Sequence, residues 1–236
     1  MNGVITTENV YEKKDELLAQ INAYRIADAV KTLTVSDVQK YSEGDVKYKV
    51  VLWDFGSRKY IKNELLKRGC EVTVVPAGTT ADEIKALAPD GIVLSDGPGD
   101  PMDNADVIEE IKKVCAMNIP MLGIALGHQM LAVAQGGKTE KLKYGHRGAN
   151  QPVIDKTIGR TFVTSQNHGY VVLSDSIDSS VGTISHVNAN DGSCEGIRYT
   201  AINAVSVQFE PESNGGPQDT SYMFNEFIEM IEKEMQ

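Results

Sequence analysis

The sequence predicts an α/β fold in which helices flank a mostly parallel sheet that carries a smaller antiparallel extension. Two observations predict it. Between residues 49 and 135, short apolar runs alternate with amphipathic helical segments, and this alternation is typical of right-handed βαβ units. After residue 138, strand-like segments follow one another with no helix between them, which favours antiparallel or mixed pairing.

Each element follows from its local pattern. The apolar runs have the length of strands, and the segments between them carry apolar side chains at helical spacing. In the first half we predict strands at 49–55, 71–76, 91–95 and 119–124, and helices at 58–69, 80–88, 104–115 and 126–135. In the second half we predict strands at 161–166, 181–187, 195–200 and 204–210, and a final helix at 220–235.

The front of the chain has a different character. Residues 11–24 carry Leu17, Leu18, Ile21 and Tyr24 at helical spacing, which predicts a short amphipathic helix. Residues 40–49 are polar and contain a glycine, as is typical of a linker. We therefore expect an N-terminal helical and linker segment over 1–46 and one larger domain over 47–236.

Composition excludes several classes of protein. With 41% hydrophobic and 24% charged residues, the chain resembles an ordinary globular protein, and it has no apolar run of ~18–20 residues that could span a membrane. A formal net charge of −10 argues against nucleic-acid binding. The polar N-terminus does not resemble a signal peptide. Cys70, Cys115 and Cys194 are scattered, so we expect the cytoplasm, with no disulfide framework and no metal site.

The most informative segment is Gly123-Ile124-Ala125-Leu126-Gly127, between a predicted strand and a predicted helix. A glycine two residues before and after a central residue is the pattern of a nucleophile elbow, which exposes the central side chain at the helix N-terminus. Backbone N–H groups there can bind an oxyanion. Here the central residue is alanine, which has no lone pair for attack. A plain turn of small residues is the alternative.

Three further segments contain polar groups at predicted strand ends. The loop 94–101 (LSDGPGDP) can present backbone N–H groups to a ligand. Segment 165–170 (SQNHGY) contains His168, a possible base or a structural hydrogen bonder. Segment 207–212 (VQFEPE) contains Glu210 and Glu212, which could serve in acid/base chemistry or lie in a charged loop. Taken singly, each of these segments is also compatible with a loop that has no ligand.

Taken in order, these segments resemble the class I, or triad, glutamine amidotransferase domain. The particular likeness is to the small subunit of carbamoyl-phosphate synthetase, over roughly residues 47–233. The matching segments are SDGPGDP, GIALGHQMLAVAQGGKTEKLKYGHRGANQPV, TSQNHGYVV and VQFEPE with the following GPQDTSYMFNEFIEMI. The resemblance implies a flavodoxin-like fold and a connection with pyrimidine or arginine biosynthesis. It also implies that the family's N-terminal domain has no counterpart in this chain.

The resemblance implies a mechanism that this chain lacks groups to perform. In the family a cysteine thiolate, assisted by a paired histidine and glutamate, attacks the side-chain amide of glutamine. The family's cysteine falls on Ala125 and its histidine on Glu210, whereas its glutamate is retained as Glu212. Alanine cannot attack, and a carboxylate at position 210 disfavours a neighbouring thiolate.

The positions that hold glutamine in the family are better kept, and no cofactor is implied. By resemblance, two glycines of the 94–101 loop contact the ligand through their backbone, a backbone N–H at the elbow binds the oxyanion, and other groups hold the amide or the amino-acid end. In that order the positions are Gly97 and Gly99, then Leu126, then Gln129, Asn167, Gly169 and Tyr170.

Three hypotheses follow. The first is a catalytically inactive amidotransferase that binds a glutamine-like or glutamate-like ligand, a synthetase-type subunit or a second copy of itself. The second is a repurposed enzyme that uses Glu210 and Glu212 with His128 or His168 in the old pocket. The third is an inactivated variant of a working glutaminase subunit, although an engineered Ala125 would not explain Glu210.

Overall fold

A computed structural model describes residues 2–24, 27–57, 59–212 and 216–236. The described residues form one ten-stranded sheet in the order β1-β3-β2-β4-β5-β10-β9-β8-β6-β7. Its strands are β1 (Gln39–Tyr41), β2 (Tyr48–Asp54), β3 (Cys70–Pro76), β4 (Gly91–Leu94), β5 (Met121–Ile124), β6 (Thr139–Asp155), β7 (Arg160–Val172), β8 (Gly182–Asn188), β9 (Cys194–Tyr199) and β10 (Ala204–Val207).

Seven α-helices accompany the sheet within the described ranges. They are α1 (Lys14–Ala23), α2 (Ala29–Leu33), α3 (Lys59–Leu66), α4 (Ala81–Ala86), α5 (Ala105–Cys115), α6 (Leu126–Ala134) and α7 (Tyr222–Glu234). The predicted helix at 58–69 begins at Arg58, which lies outside the described residues. In the described part of the chain, no helix has both the length and the apolar character that a bilayer crossing needs.

The centre of the sheet confirms the predicted fold class. Strands β3, β2, β4, β5 and β10 pair in parallel, with a helix between each successive pair from β2 to β5. Their side chains are buried almost throughout because helices cover both faces. The carboxyl ends of these strands meet at one edge of the sheet, so the turns that follow β4, β5 and β10 are neighbours in space.

Two hydrophobic layers hold this arrangement together, one on each face of the sheet. On the first face, α4, α5 and α6 pack against the strands, and the layer includes Ile84, Ile111 and Met130. On the second face, α3 and α7 do the same through Leu65 and Phe227, among others. These apolar positions recur at helical spacing, which is why the sequence pattern located the helices.

The predicted antiparallel extension is present, but it is larger than expected. Strands β9, β8, β6 and β7 pair antiparallel beyond β10. We did not predict β6, and β7 extends well beyond the expected 161–166. Strand β6 is 17 residues long and mostly exposed or half-buried, so it lacks the apolar alternation that identifies a strand. Its partner β7 is held by backbone pairing along a long two-stranded ribbon.

The linker expected at 40–49 is wrong in part. Gln39–Tyr41 forms strand β1, which pairs antiparallel with β3 at the edge of the main sheet. A three-residue strand is too short to give a periodic signal, and its polar composition is usual for an edge. The expected helix at 11–24 is present as α1, yet Leu17 is buried while Leu18 and Tyr24 are 44% and 60% exposed. The proposed division near residue 46 stays a prediction.

Candidate functional site

Ala125 lies at a sharp turn between β5 and α6, as the elbow pattern predicts. Its backbone has φ 48° and ψ −105°, a conformation that residues other than glycine rarely adopt. The turn is fixed from one side by a hydrogen bond from the Ala125 N–H to the Val207 carbonyl of β10, at 2.9 Å. The half-buried Ala125 methyl group therefore occupies the position from which an elbow presents its nucleophile.

The two elbow glycines are needed because the backbones approach closely. A Cβ atom on Gly127 would lie 2.3 Å from the carbonyl oxygen of Leu94 in β4. One on Gly123 would lie 3.1 Å from both the Gly127 carbonyl oxygen and the Ser206 Cβ. The Gly127 N–H also donates to the Ser95 carbonyl at 3.0 Å. Helix α6 can thus sit directly against the end of β4 only with glycine at position 127.

The loop after β4 lies beside the elbow. A Cβ atom on Gly97 would lie 2.5 Å from the Phe55 carbonyl and 2.8 Å from a Leu126 methyl group, so this loop is pressed against the first residue of α6. Gly99 has φ 97°, which favours glycine. The Ser95 hydroxyl accepts from the Phe55 N–H and donates to the Asp96 carbonyl. The loop and the helix N-terminus are therefore adjacent, as a ligand bridging them requires.

Strand β7 brings the third predicted segment to this edge. Tyr170 is hydrogen-bonded to Asp100 of the glycine loop, and burial together with this carboxylate raises the pKa of Tyr170 to about 12. Asn167 is exposed on β7 opposite Arg147 of β6. Gly169 lies two residues further along, and an added Cβ atom there would lie 3.3 Å from the Arg147 guanidinium.

Gln129 links the elbow helix to two strands. Its side chain is buried, and Nε2 donates to the Tyr170 carbonyl and to the Gln208 Oε1, both at 2.8 Å. The amide thus supports β7 and β10 from within. Its expected contact with a ligand stays a prediction, as does the oxyanion contact of the Leu126 N–H.

The two glutamates follow β10 at the same edge. The Glu210 N–H donates to the Ser165 carbonyl of β7 at 3.0 Å, and the residue is half-buried. Glu212, also half-buried, lies two residues beyond. Because β10 pairs in parallel with β5 through Val207 and Ile124, Glu210 follows β10 on the side of the sheet where Ala125 follows β5.

The two histidines named with the pocket are directed into the protein. His128 is fully buried, with Nδ1 2.8 Å from the Ser206 hydroxyl, and burial lowers its pKa to about 3. His168 contacts the Tyr170 carbonyl through Nδ1 and the Gln166 side chain through Nε2. Burial lowers its pKa as well. These contacts give His128 and His168 structural roles at the back of the site.

The cysteines cannot replace the missing nucleophile. All three are buried, and neither Cys115 at the end of α5 nor Cys194 at the start of β9 lies at the elbow. Burial raises the pKa of both thiols to about 12. A thiol with such a pKa is almost wholly protonated near neutral pH, and the protonated thiol is a poor nucleophile.

Sequence reasoning missed three groups that hold the site together, namely Asp100, Ser206 and Gln208. Asp100 and Gln208 lie inside segments already singled out, so an unpaired polar group there could have prompted a search for a partner. Ser206 alternates with buried apolar residues on β10, and nothing in the sequence distinguishes it from a core serine.

Comparison with known proteins identifies the family. The sequence profile of glutamine amidotransferase class-I matches residues 51–230. This range contains the elbow, the glycine loop, the β7 segment and both glutamates. The chain belongs to the class I glutamine amidotransferase family.

Its similar relatives include small chains of carbamoyl phosphate synthase. The small chain of Bacillus cereus is 45% identical over 216 residues, which cover 92% of this chain and 58% of the relative. That of Listeria monocytogenes is 44% identical over 233 residues, which cover 98% and 62%. The amidotransferase chain thus spans about 60% of the length of these relatives.

Solved structures agree on the fold. A protein from Thermoplasma acidophilum, named for its likeness to a GMP synthase component, aligns with a TM-score of 0.71 and 22% identity, over 80% of this chain and 96% of its own. A glutamine amidotransferase from Thermotoga maritima aligns with a TM-score of 0.56 and 16% identity, over 82% and 86%. At these identities the likeness concerns the fold alone.

The elbow geometry predicts an unusual response to glycine. Ala125→Gly should raise the free energy of unfolding by about 1 kcal/mol, because glycine adopts positive φ without the steric cost borne by alanine. Urea unfolding followed by circular dichroism measures the change. Ala116→Gly is the control, since Ala116 is exposed with φ −69°, and glycine should destabilise it by about 0.5–1 kcal/mol. Equal losses in the two variants would contradict the elbow conformation.

Proposed function

We propose that this amidotransferase-like chain is catalytically inactive and serves as a binding, scaffold or regulatory protein. The observation that carries the proposal is Ala125, whose methyl group occupies the nucleophile position of an intact elbow. The elbow normally exists to expose a nucleophile. A methyl group forms no thioester, so the covalent step of the family's mechanism has no starting atom.

Glu210 supports the same proposal from the other side of the site. Hydrolysis through a thiolate needs a base that is neutral before it accepts the proton, and the family's histidine provides one. A glutamate at this position is anionic near pH 7 at its ordinary pKa. It would destabilise a neighbouring thiolate through like charge. The loss of two catalytic positions with the glycines retained favours inherited inactivation over one engineered substitution.

The ligand class follows from the groups that are kept. The glycine loop, the N-terminus of α6 and β7 lie together, as the contacts of Gly97 with Leu126 and of Tyr170 with Asp100 indicate. These are the positions that hold glutamine in the family. We therefore propose a pocket for glutamine or a similar amino acid, in which the side-chain end meets a methyl group and a carboxylate instead of a thiol and an imidazole.

The relatives indicate the kind of partner. They are named as small chains of carbamoyl phosphate synthase, so we propose that the partner is a synthetase-type subunit, with self-association as the other possibility. A cytoplasmic role related to pyrimidine or arginine biosynthesis fits this partner. The repurposed-enzyme alternative gains no support, because the histidines it would use contact Ser206, Gln166 and the Tyr170 carbonyl instead.

The direct test is a glutaminase assay on the purified chain. We expect release of glutamate and ammonia from glutamine to equal a protein-free blank, because no thiol lies at the elbow. The Glu212→Ala variant is the matched control, since it removes the retained member of the triad. Turnover well above the blank that disappears in Glu212→Ala would contradict the proposal.

Restoring the lost groups should restore little activity. We expect the double variant Ala125→Cys with Glu210→His to show at most weak glutaminase activity, because catalysis depends on geometry finer than about 1 Å. Steady-state assays of the double variant and both single variants measure this. Robust turnover in the double variant would show that the pocket retains full catalytic geometry and that the loss is confined to two side chains.

A further inference from the structure

Two histidines and a glutamate meet in the antiparallel part of the sheet, apart from the elbow. The register of β6 and β7 places His146 directly opposite His168, and the two rings stand edge to face with centroids 4.9 Å apart. Glu195 lies on β9. One nitrogen from each ring and one carboxylate oxygen all lie within 4.8 Å of one another. Imidazole nitrogens and carboxylate oxygens are common ligands of zinc.

An acceptor holds the far nitrogen of each ring. His146 Nε2 lies 2.9 Å from the Asp191 Oδ2, and His168 Nδ1 lies 2.7 Å from the Tyr170 carbonyl. Metal-binding histidines usually donate their other ring N–H to a carboxylate or a carbonyl, which fixes the tautomer and the orientation of the ring. The same arrangement here leaves His146 Nδ1 and His168 Nε2 as the inward nitrogens.

The inward nitrogen of His168 lacks a suitable proton donor. It lies 2.9 Å from the Gln166 Oε1, while the Gln166 Nε2 donates to Thr164 and Glu195. Both ring nitrogens therefore face oxygen acceptors, but a neutral imidazole has only one N–H. Burial favours the neutral ring by lowering the pKa of His168. A metal ion at Nε2 would accept the lone pair that no donor among the described residues satisfies.

Glu195 needs a cation beside it. The side chain is fully buried, and the neutral amides of Gln166 and Asn188 donate to its two oxygens at 2.9 and 3.0 Å. A buried carboxylate is costly without a positive partner. His146 Nδ1, at 3.3 Å, is positioned to supply that charge, and hydrogen bonds from Glu195 and Asp191 raise the pKa of His146 to about 9. The site thus favours a positive charge at the point the three ligands share.

We propose that His146, His168 and Glu195 bind one divalent transition-metal ion, with zinc as the best match to this donor set. Zinc takes imidazole nitrogen and carboxylate oxygen at about 2.0–2.2 Å, so the ligands must move inward by roughly an ångström. The pairing of β6 with β7 is irregular on both sides of His146, between Lys141 and His146 and between Gly148 and Gln151. Such bulges allow a strand to adjust locally.

The ion would join strands that only backbone pairing otherwise connects. His146 and His168 lie on the β6–β7 ribbon, and Glu195 lies nearer the parallel core on β9, which pairs with β10. His168 also holds the Tyr170 carbonyl, to which Gln129 donates. A bound ion would therefore fix β7 beside the glycine loop. The inference does not depend on the absence of glutaminase activity, nor does it contradict it.

The test is a zinc titration of the intact, tag-free chain after chelation, followed by isothermal calorimetry and elemental analysis. We expect one equivalent of zinc per chain and a higher melting temperature. His146→Asn and Glu195→Gln should each weaken binding at least about tenfold, because each removes one of three ligands. Glu229→Gln, on an exposed position of α7, is the matched control and should bind zinc as the unmodified chain does.

A second measurement keeps the test decisive if a variant fails to fold. X-ray absorption of the unmodified chain loaded with one equivalent of zinc should show nitrogen and oxygen ligands, with the multiple scattering of two imidazoles and no sulfur. Failure of the unmodified chain to bind one equivalent would overturn the proposal. So would unchanged affinity in folded His146→Asn, or sulfur among the ligands.

Discussion

The backbone at Ala125 is the constraint on which the candidate site depends. A residue other than glycine at φ 48° and ψ −105° costs on the order of 1–3 kcal/mol and persists only where surrounding structure enforces it. Here three contacts do so: the N–H of Ala125 bonds to β10, the N–H of Gly127 bonds to the end of β4, and Gly127 packs against the Leu94 carbonyl. The strain is thus maintained by packing and does not require a nucleophile.

This separation of geometry from chemistry explains how the frame can outlast the reaction. Position 125 can lose its thiol while β4, β5 and β10 still impose the turn. Behind the turn, Gln129 joins α6 to the Tyr170 carbonyl and to Gln208, and His128 joins α6 to Ser206. These buried contacts couple the helix, β7 and β10, so the groups that would hold an amino acid remain near the elbow whatever residue occupies its tip.

The sequence predicted the parallel core and the elbow well because both rest on local rules. Strand β2 and helix α5 have strong apolar periodicity, and Gly123 and Gly127 mark a turn that requires close backbone approach. Strand β6 escaped prediction because it forms an exposed ribbon stabilised by backbone pairing with β7, which leaves no apolar pattern. The cluster around Glu195 escaped for another reason: it depends on the register that sets His146 opposite His168, and residue spacing along the chain does not specify register.

The central claim is that the amino-acid pocket survives without its nucleophile, and ligand-observed NMR tests it most directly. Saturation transfer from the unmodified chain to millimolar glutamine should be clear and saturable, and glycine-loop groups and β7 should make the amino-acid end the contact point. Propionamide, which has the amide but no amino-acid end, should show little transfer. Absence of transfer to glutamine, or equal transfer to propionamide, would contradict the account.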